Sequence, residues 1–161
     1  MNLIANLLPL ANVLVDTDTS SKKRLFEQAG LLFETNQHLK SRMVFDSLFA
    51  REKLGSTGLG QGVAIPHGRI KNLDEAIGAF VKVQPPVPFD APDNLPVTLV
   101  FFLLVPEHAT DLHLQILGEL AEMFSDKTLR EQLLASHDAK EMHQLITQWA
   151  SHDADHRSTA V

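Results

Sequence analysis

The spacing of apolar residues predicts five amphipathic helices. Apolar side chains recur at intervals of three and four residues, so that each segment would carry one apolar face. Two of these helices lie before the middle of the chain and three lie after it. Each begins next to a residue whose side chain can cap a helix, namely Ser21 in the serine pair at 20–21, Ser41, Thr110, Ser125 and Asp138.

Short apolar runs between the helices predict β-strands. The runs at residues 13–15, 63–65 and 77–83 contain β-branched residues, which fit a strand. The run at 97–105, VTLVFFLLV, is apolar on both faces, which is typical of a central strand covered by helices on both sides. This order of elements predicts an α/β fold, a three-layer sandwich in which a mixed β-sheet carries helices on both faces.

The length of the chain is typical of a single domain. It has 161 residues, and no linker divides it into two cores. We therefore expect one domain over residues 1–150 and a flexible, polar tail over residues 151–161. The basic first turn of the first helix, residues 22–24, is interpreted as a solvated face.

Charge and composition exclude several classes of function. The formal net charge of -6 argues against nucleic-acid binding, which needs a basic face. The absence of cysteine excludes disulfides, thiolate metal sites and cysteine nucleophiles. The apolar N-terminal stretch has no basic segment and is a poor signal peptide. The longest apolar run, 97–105, is far shorter than the ~20 residues of a membrane helix. We expect a cytoplasmic protein without membrane insertion.

The stretch REKLGSTGLGQGVAIPHGR, residues 51–69, holds five of the chain's 8 glycines. It predicts a flexible loop that carries hydroxyl groups, then the buried strand 63–65, with His67 at the point where that strand stops. The loop matches neither a Walker loop, nor the dinucleotide-binding glycine pattern, nor a serine-hydrolase elbow. The combination of glycines, hydroxyls, a histidine and flanking arginines favours phosphate chemistry.

Two histidines are candidates for that chemistry. His67 has a largely neutral imidazole near pH 7, which can serve as a nucleophile, a base or a metal ligand. His113 lies in the first turn of the helix after the central strand, where α/β sheets place ligand sites. Either can also be an ordinary structural or surface histidine, and Arg51 can simply complement the C-terminus of the second helix. A zinc site from His67, His113 and Asp111 is weakly supported, because these residues lack a zinc-binding spacing.

The segment REKLGSTGLGQGVAIPHGRI, residues 51–70, resembles the signature of the mannitol/fructose class of enzyme IIA domains of the bacterial phosphoenolpyruvate phosphotransferase system. The segment FDAPDNLPVTLVFFLLVP, residues 89–106, and the helix with a histidine after it follow in the expected order. Within that class the chain is most similar to the nitrogen-regulatory branch. The resemblance implies an α/β sandwich, phosphoryl donation by a small HPr-type carrier, and no cofactor.

The resemblance also assigns site residues. It implies that His67 accepts the phosphoryl group, and that His113 and Arg51 are the second histidine and the arginine of the active site. Ser56 and Thr57 match hydroxyl residues that bind phosphate. The chain would then be a phosphohistidine carrier and not a multi-turnover enzyme on its own.

Three functions use such a site. A regulatory phosphocarrier would bind target proteins, such as potassium-transporter components or sensor kinases, according to its phosphorylation state. A sugar-specific enzyme IIA would pass the phosphoryl group to an enzyme IIB in carbohydrate uptake. A pure binding module would not be phosphorylated at all. The site residues are the same in the first two, and only the overall similarity favours the regulatory function.

Overall fold

A mixed β-sheet forms the centre of the protein. The computed structural model describes residues 2–108 and 111–151, and within these the sheet has six strands in the order β1-β5-β6-β3-β2, with β4 also paired to β6. Strand β1 is parallel to β5, and β3 and β4 are both parallel to β6, whereas the pairs β5–β6 and β2–β3 are antiparallel. The strands are β1 (Val13–Thr17), β2 (Gly58–Gly60), β3 (Val63–Ala64), β4 (His67–Ile70), β5 (Ile77–Val87) and β6 (Val97–Pro106).

Helices cover both faces of this sheet, which confirms the predicted α/β sandwich. Helices α1 and α2 pack on one face, and α3, α4 and α5 pack on the other. The α-helices are α1 (Lys22–Gln37), α2 (Ser41–Leu54), α3 (Asp111–Phe124), α4 (Lys127–Ala135) and α5 (Ala139–Thr147), and two short 3-10 turns, Leu3–Asn6 and Leu10–Asn12, precede β1.

The central strand β6 joins the two halves of the core. Phe101 and Leu103 point to the α3–α5 side, and the alternate residues Phe102 and Leu104 point to the α1–α2 side. All four side chains are fully buried. Because burying one such side chain contributes about 1.5–3 kcal/mol, β6 stabilises both layers at once. The apolar run on both faces of 97–105 therefore predicted its position correctly.

Two of the predicted helix caps are present. The Ser21 side chain accepts a hydrogen bond from the N–H of Arg24 at the start of α1. The Asp138 carboxylate accepts one from the N–H of Lys140 at the start of α5. Both caps satisfy N–H groups that have no partner inside the helix.

Two other capping predictions are wrong. Ser41 is the first residue of α2, and the cap position belongs to Lys40, whose side chain makes no capping bond. The cap of α4 is Asp126 and not Ser125, because the Asp126 carboxylate accepts hydrogen bonds from two backbone N–H groups of the first turn. Thr110, the predicted cap of α3, lies outside the described residues.

The glycine-rich stretch forms a β-hairpin where the sequence predicted a loop. Strand β2 runs antiparallel to β3, and the turn between them is made by Gln61 and Gly62, with φ values of 58° and 78°. The carbonyl of Gly62 accepts hydrogen bonds from the N–H groups of Thr98 and Leu99 at the start of β6. The loop prediction is therefore wrong for residues 58–60, which are held in the sheet.

Three expectations remain, and they concern the extent of the domain, the C-terminal tail and the membrane. The single domain over residues 1–150 stays a prediction, and residues 152–161 of the predicted tail lie outside the described residues. Among the helices that the structure describes, none has both the length and the apolar character needed to cross a membrane.

Candidate active site

His67 follows strand β3 and is the first residue of strand β4. Strands β3 and β4 lie in line along β6, separated by Ile65 and Pro66, and His67 opposes Leu103 in the β4–β6 register. The N–H of Leu103 donates to the carbonyl of Pro66 at 2.9 Å, so pairing with β6 continues through the break. His67 therefore does follow the predicted strand, now β3, but the sequence did not predict that a further strand, β4, begins at His67 after the break at Ile65 and Pro66.

The imidazole of His67 is oriented by its own backbone segment. Its Nδ1 lies 2.9 Å from the carbonyl oxygen of Ile65, and the side chain is half-buried. A carbonyl oxygen only accepts hydrogen bonds, so the ring hydrogen belongs on Nδ1. The Nε2 lone pair makes no hydrogen bond to any other part of the chain that the structure describes.

His113 lies beside this ring. It is the third residue of α3, and only 9% of its surface is exposed. The centroids of the two imidazoles are 5.5 Å apart, with the rings at 67° to each other. The Nε2 of His113 is buried and has no hydrogen-bond partner among the described residues. A buried polar atom of this kind is unusual unless it serves a ligand or a reaction.

Arg51 approaches the site from the last turn of α2. One guanidinium nitrogen, Nη1, donates to the carbonyl of Gly55 at 2.9 Å, just past the end of the helix. This bond satisfies a carbonyl group at the helix C-terminus, as the simple interpretation of Arg51 expected. A guanidinium has five N–H donors, so most of its capacity remains for an anion.

Four of the five predicted site residues line one small pocket. It has a volume of about 260 Å³ and is open to solvent. Apolar side chains form the wall on the α3 side, and His113 reaches this site through its contact with the ring of His67. The pocket is lined by Arg51, Ser56, Thr57, Gly58, Leu59, Ile65, His67, Leu117 and Ala121.

The hydroxyl groups of Ser56 and Thr57 already donate their hydrogens within the protein. The Ser56 hydroxyl donates to the carbonyl of Phe89 at 2.6 Å and accepts from the N–H of Gly58 at 3.1 Å. The Thr57 hydroxyl donates to the Glu52 carboxylate. Both residues lie at the pocket, and both side chains anchor the loop to the elements beneath it.

Glu52 and Lys22 form an ion pair next to the pocket that no motif in the sequence marks. The Glu52 side chain is 3% exposed, and its carboxylate lies 2.8 Å from the Lys22 ammonium group. The interpretation of residues 22–24 as a solvated face is therefore wrong for Lys22, whose side chain is only 18% exposed. An acidic residue in the last turn of a helix opposes the helix dipole, and this was the one signal that Glu52 has a specific partner.

The surroundings of both imidazoles favour the neutral form by lowering the pKa of each ring. Burial lowers the pKa of His67, and the Arg51 charge lowers it further, against the hydrogen bond to Ile65 and the Glu52 charge. Burial likewise lowers the pKa of His113, followed by the charges of His67 and Arg69. A neutral His67 retains the lone pair that a nucleophile needs.

The described residues offer no set of ligands for the zinc site that the sequence supported only weakly. Across residues 2–108 and 111–151, no group of three or more histidine, cysteine, aspartate or glutamate side chains is arranged to hold a metal ion. His67 and His113 are paired, but Asp111 does not complete a set of ligands with them.

Comparison with known proteins identifies the family. The sequence model described as "Phosphoenolpyruvate-dependent sugar phosphotransferase system, EIIA 2" matches residues 6–149. The chain belongs to this EIIA type-2 family. The resemblance of the 51–70 segment is thereby confirmed, and so is the α/β fold that it implied.

Relatives of this EIIA type-2 chain include nitrogen regulatory proteins. The crystal structure of nitrogen regulatory protein IIA-Ntr from Neisseria meningitidis is 54% identical with a TM-score of 0.85, covering 89% of this chain and 99% of that one. The nitrogen regulatory protein of Klebsiella oxytoca is 40% identical over 153 residues, or 91% of this chain and 94% of the relative. A fructose-specific EIIA component from Haloferax volcanii is 32% identical over 103 residues, 64% of this chain and 67% of the relative.

Proposed function

We propose that this chain is a regulatory phosphocarrier of the phosphotransferase system. His67 accepts a phosphoryl group from an HPr-type protein, and target proteins distinguish the phosphorylated from the unphosphorylated form. The hydrogen bond from His67 Nδ1 to the Ile65 carbonyl is the observation that carries this proposal. It leaves Nε2 as the nucleophilic atom of a neutral imidazole.

The transfer is an in-line displacement at phosphorus. The Nε2 lone pair forms the new P–N bond while the bond from phosphorus to the donor's leaving atom breaks, and that atom keeps the electron pair. The product carries hydrogen on Nδ1 and phosphorus on Nε2, so its ring is cationic. A cationic ring is a good leaving group, which suits a carrier that must pass the phosphoryl group on. The Ile65 carbonyl stabilises this ring by accepting from Nδ1.

Arg51 and His113 are the residues that neutralise the negative charge of the phosphoryl group. The transferred group carries about -1.5 to -2 charge near neutral pH, if it behaves like other phosphoryl groups. The free donors of the Arg51 guanidinium can bind two of its oxygens together. The unpartnered Nε2 of His113, next to the His67 ring, can donate to a third oxygen in the tautomer that carries hydrogen there. No metal or cofactor enters this scheme.

The names of the relatives favour regulation over sugar uptake. Two nitrogen regulatory proteins match most of the chain, one at 40% and the other at 54% identity. We propose that the targets are proteins of nitrogen or potassium metabolism, such as potassium-transporter components or sensor kinases, and that the protein works in the cytoplasm. The fructose-specific relative, at 32% identity, supports the alternative of transfer to a sugar-specific enzyme IIB.

A phosphotransfer assay tests the proposal. The protein is incubated with labelled phosphoenolpyruvate, enzyme I and an HPr-type carrier, and sugar-specific enzyme IIB domains are then added. Acid-labile label that stays on the wild-type chain supports the regulatory carrier, whereas rapid loss to an enzyme IIB supports the sugar-uptake alternative. No label, under conditions in which a known enzyme IIA is labelled, would indicate a binding module.

Two histidine variants locate the label. His67→Ala should abolish labelling and keep the fold, because the side chain is only half-buried. His137→Ala is the matched control, since His137 is an exposed histidine whose described partner is Asp16, outside the pocket. Retained labelling of His67→Ala would contradict the assignment.

A further inference from the structure

A chain of hydrogen bonds connects the buried carboxylate of Glu52 to the imidazole of His67. The carboxylate accepts from the N–H of Thr57 at 3.1 and 3.2 Å and from the Thr57 hydroxyl. The Thr57 carbonyl accepts from the N–H of Ile65 at 3.0 Å. The Ile65 carbonyl in turn contacts His67 Nδ1 at 2.9 Å. Three consecutive contacts thus lead from a residue next to Arg51 to the predicted phosphoryl acceptor.

These contacts can fix the positions of the groups they join, but they cannot conduct a proton. At both Thr57 and Ile65, the N–H and the carbonyl in the chain belong to different peptide groups, so no continuous path for a proton exists. Each contact instead fixes the distance between two backbone segments. The loop that begins after α2 is held against the segment Ile65–Pro66, and the carbonyl of Ile65 is held where it meets the imidazole of His67.

Lys22 makes the buried charge of Glu52 tolerable. Its ammonium group lies 2.8 Å from the carboxylate and 4.6 Å from the centroid of the Phe89 ring. The Phe89 carbonyl accepts the hydrogen bond of the Ser56 hydroxyl. A buried carboxylate without a cation would be very unfavourable, so this pair ties α1 to the end of α2 directly beneath the site.

We propose that Glu52 is a positioning residue for phosphoryl acceptance, which acts through Thr57 and Ile65 to hold His67 in the tautomer with hydrogen on Nδ1. This inference rests on the proposed function of His67. It also gives Ser56 and Thr57 a specific part, since their hydroxyl groups secure the loop to Phe89 and Glu52. Direct donation to the phosphoryl group would require them to give up these hydrogen bonds.

The variant Glu52→Gln tests this role, because it keeps the shape of the side chain and removes its charge. Asp46→Asn is the matched control: Asp46 is an exposed carboxylate of the same helix, and its ion-pair partner among the described residues is Arg42. Two quantities are measured, the His67 tautomer from ¹⁵N chemical shifts of the ring and the rate of phosphoryl acceptance. We expect Glu52→Gln to increase the population with hydrogen on Nε2 and to slow acceptance by roughly 10- to 100-fold, as small misplacements of a reacting group do.

Variants of Thr57 show whether Glu52 acts along the proposed path. Thr57→Val removes the hydroxyl and keeps the N–H, and should shift the tautomer in the same direction by a smaller amount. Thr57→Ser keeps both the hydroxyl and the N–H, and should therefore show the same His67 tautomer as the wild type. The double variant Glu52→Gln/Thr57→Val should be little slower than Glu52→Gln alone, because residues of one network are not additive. If Glu52→Gln does not fold, the comparison of Thr57→Val with Thr57→Ser tests the proposal.

The failure of this inference differs from the failure of the proposed function. An unchanged His67 tautomer in Glu52→Gln and in Thr57→Val, whatever happens to stability or rate, would overturn the positioning role. Wild-type protein that takes no phosphoryl group would overturn the proposed function, and the tautomer measurement would still be informative because it needs no phosphoryl donor.

Discussion

The Nδ1 atom of His67 lies 2.9 Å from the carbonyl oxygen of Ile65, two residues earlier in the same chain. Pro66 stands between them, in the short break that separates β3 from β4. The break turns the Ile65 carbonyl away from the sheet ladder and toward the imidazole. This contact favours the tautomer of His67 that carries its hydrogen on Nδ1.

This contact predicts which nitrogen is phosphorylated. Because Nδ1 carries the hydrogen, the phosphoryl group should attach to Nε2. Phosphorylated protein with ¹⁵N-labelled histidine should show phosphorus coupled to Nε2 of His67, with Nδ1 still protonated. Coupling to Nδ1 would mean that the Ile65 contact breaks during transfer.

The rate of phosphoryl acceptance should depend on pH through His67. The pKa of this imidazole is lowered from its ordinary value of 6.5, chiefly by burial, so acceptance should be insensitive to pH in neutral and alkaline solution and should fall in acidic solution. Arg51 lowers this pKa and Glu52 raises it. The acid limb should therefore move to higher pH in Arg51→Met and to lower pH in Glu52→Gln.

The same protonation should appear in the stability of the protein. A histidine with a lowered pKa binds fewer protons when folded than when unfolded. Its contribution to the free energy of unfolding is therefore complete above pH 6.5 and is lost as the pH falls through the lowered pKa. Urea unfolding at several pH values would measure this, and His67→Ala should have the shallower slope. Because His113 also has a lowered pKa, part of the slope should remain in that variant.

Arg51 should not be replaceable by lysine. A guanidinium can bind two phosphoryl oxygens while it keeps its bond to the Gly55 carbonyl, whereas an ammonium group acts as a single point charge. We expect Arg51→Lys to slow acceptance by about 10- to 100-fold, or roughly 1.4–2.7 kcal/mol of transition-state stabilisation. The matched control is Lys53→Met, which removes an exposed cation from the same helical turn. Equal rates in wild type and Arg51→Lys would show that two-point binding does not matter.

Lys82 should stabilise the fold without affecting the site. Its side chain is buried, and its ammonium group donates to the carbonyls of Leu134 and Ser136, each at 2.7 Å, where α4 ends. Lys82→Met should lower the free energy of unfolding by about 2–3 kcal/mol, because two carbonyls lose a charged donor. Lys71→Met, at an exposed position, is the control for loss of charge. Urea unfolding measures both, and the His67 ring shifts should stay unchanged.

A side chain at Gly68, even the methyl group of alanine, should lower the stability of the protein. A Cβ at this buried position of β4 would collide with the side chain of Ser47 on α2, and the Ser47 hydroxyl also bonds to the Arg69 carbonyl at 2.8 Å. Gly68→Ala should destabilise the protein by about 1–3 kcal/mol. The double variant Gly68→Ala/Ser47→Ala should lose less than the sum of the two single variants, because removal of the hydroxyl relieves part of the collision. If the losses of stability in the two single variants simply add, the destabilisation by Gly68→Ala does not come from the Ser47 hydroxyl.

Some features of this protein could be predicted from the sequence because they follow from periodicity. The apolar stripes located the helices, and the apolar run at 97–105 identified β6 as the strand between two layers. The segments 51–70 and 89–106 carry the family resemblance, which named Arg51, His67 and His113 together. Which side chains are apolar is a property of each residue, so the buried face of a helix or strand can be predicted without knowing which elements pack against it.

Only the tertiary structure decided how the site is held. The glycine-rich stretch becomes a hairpin because Gly62 meets the start of β6, about 35 residues further along, a contact that no local pattern records. Lys22 and Glu52 are 30 residues apart and become partners only when α1 packs on α2. Hydrogen-bond partners depend on distances and angles across the folded chain, whereas helix and strand periodicity depends on neighbouring residues alone. For this reason the sequence could predict candidate residues for the site, whereas the contacts that connect Glu52 to His67 exist only in the packed structure.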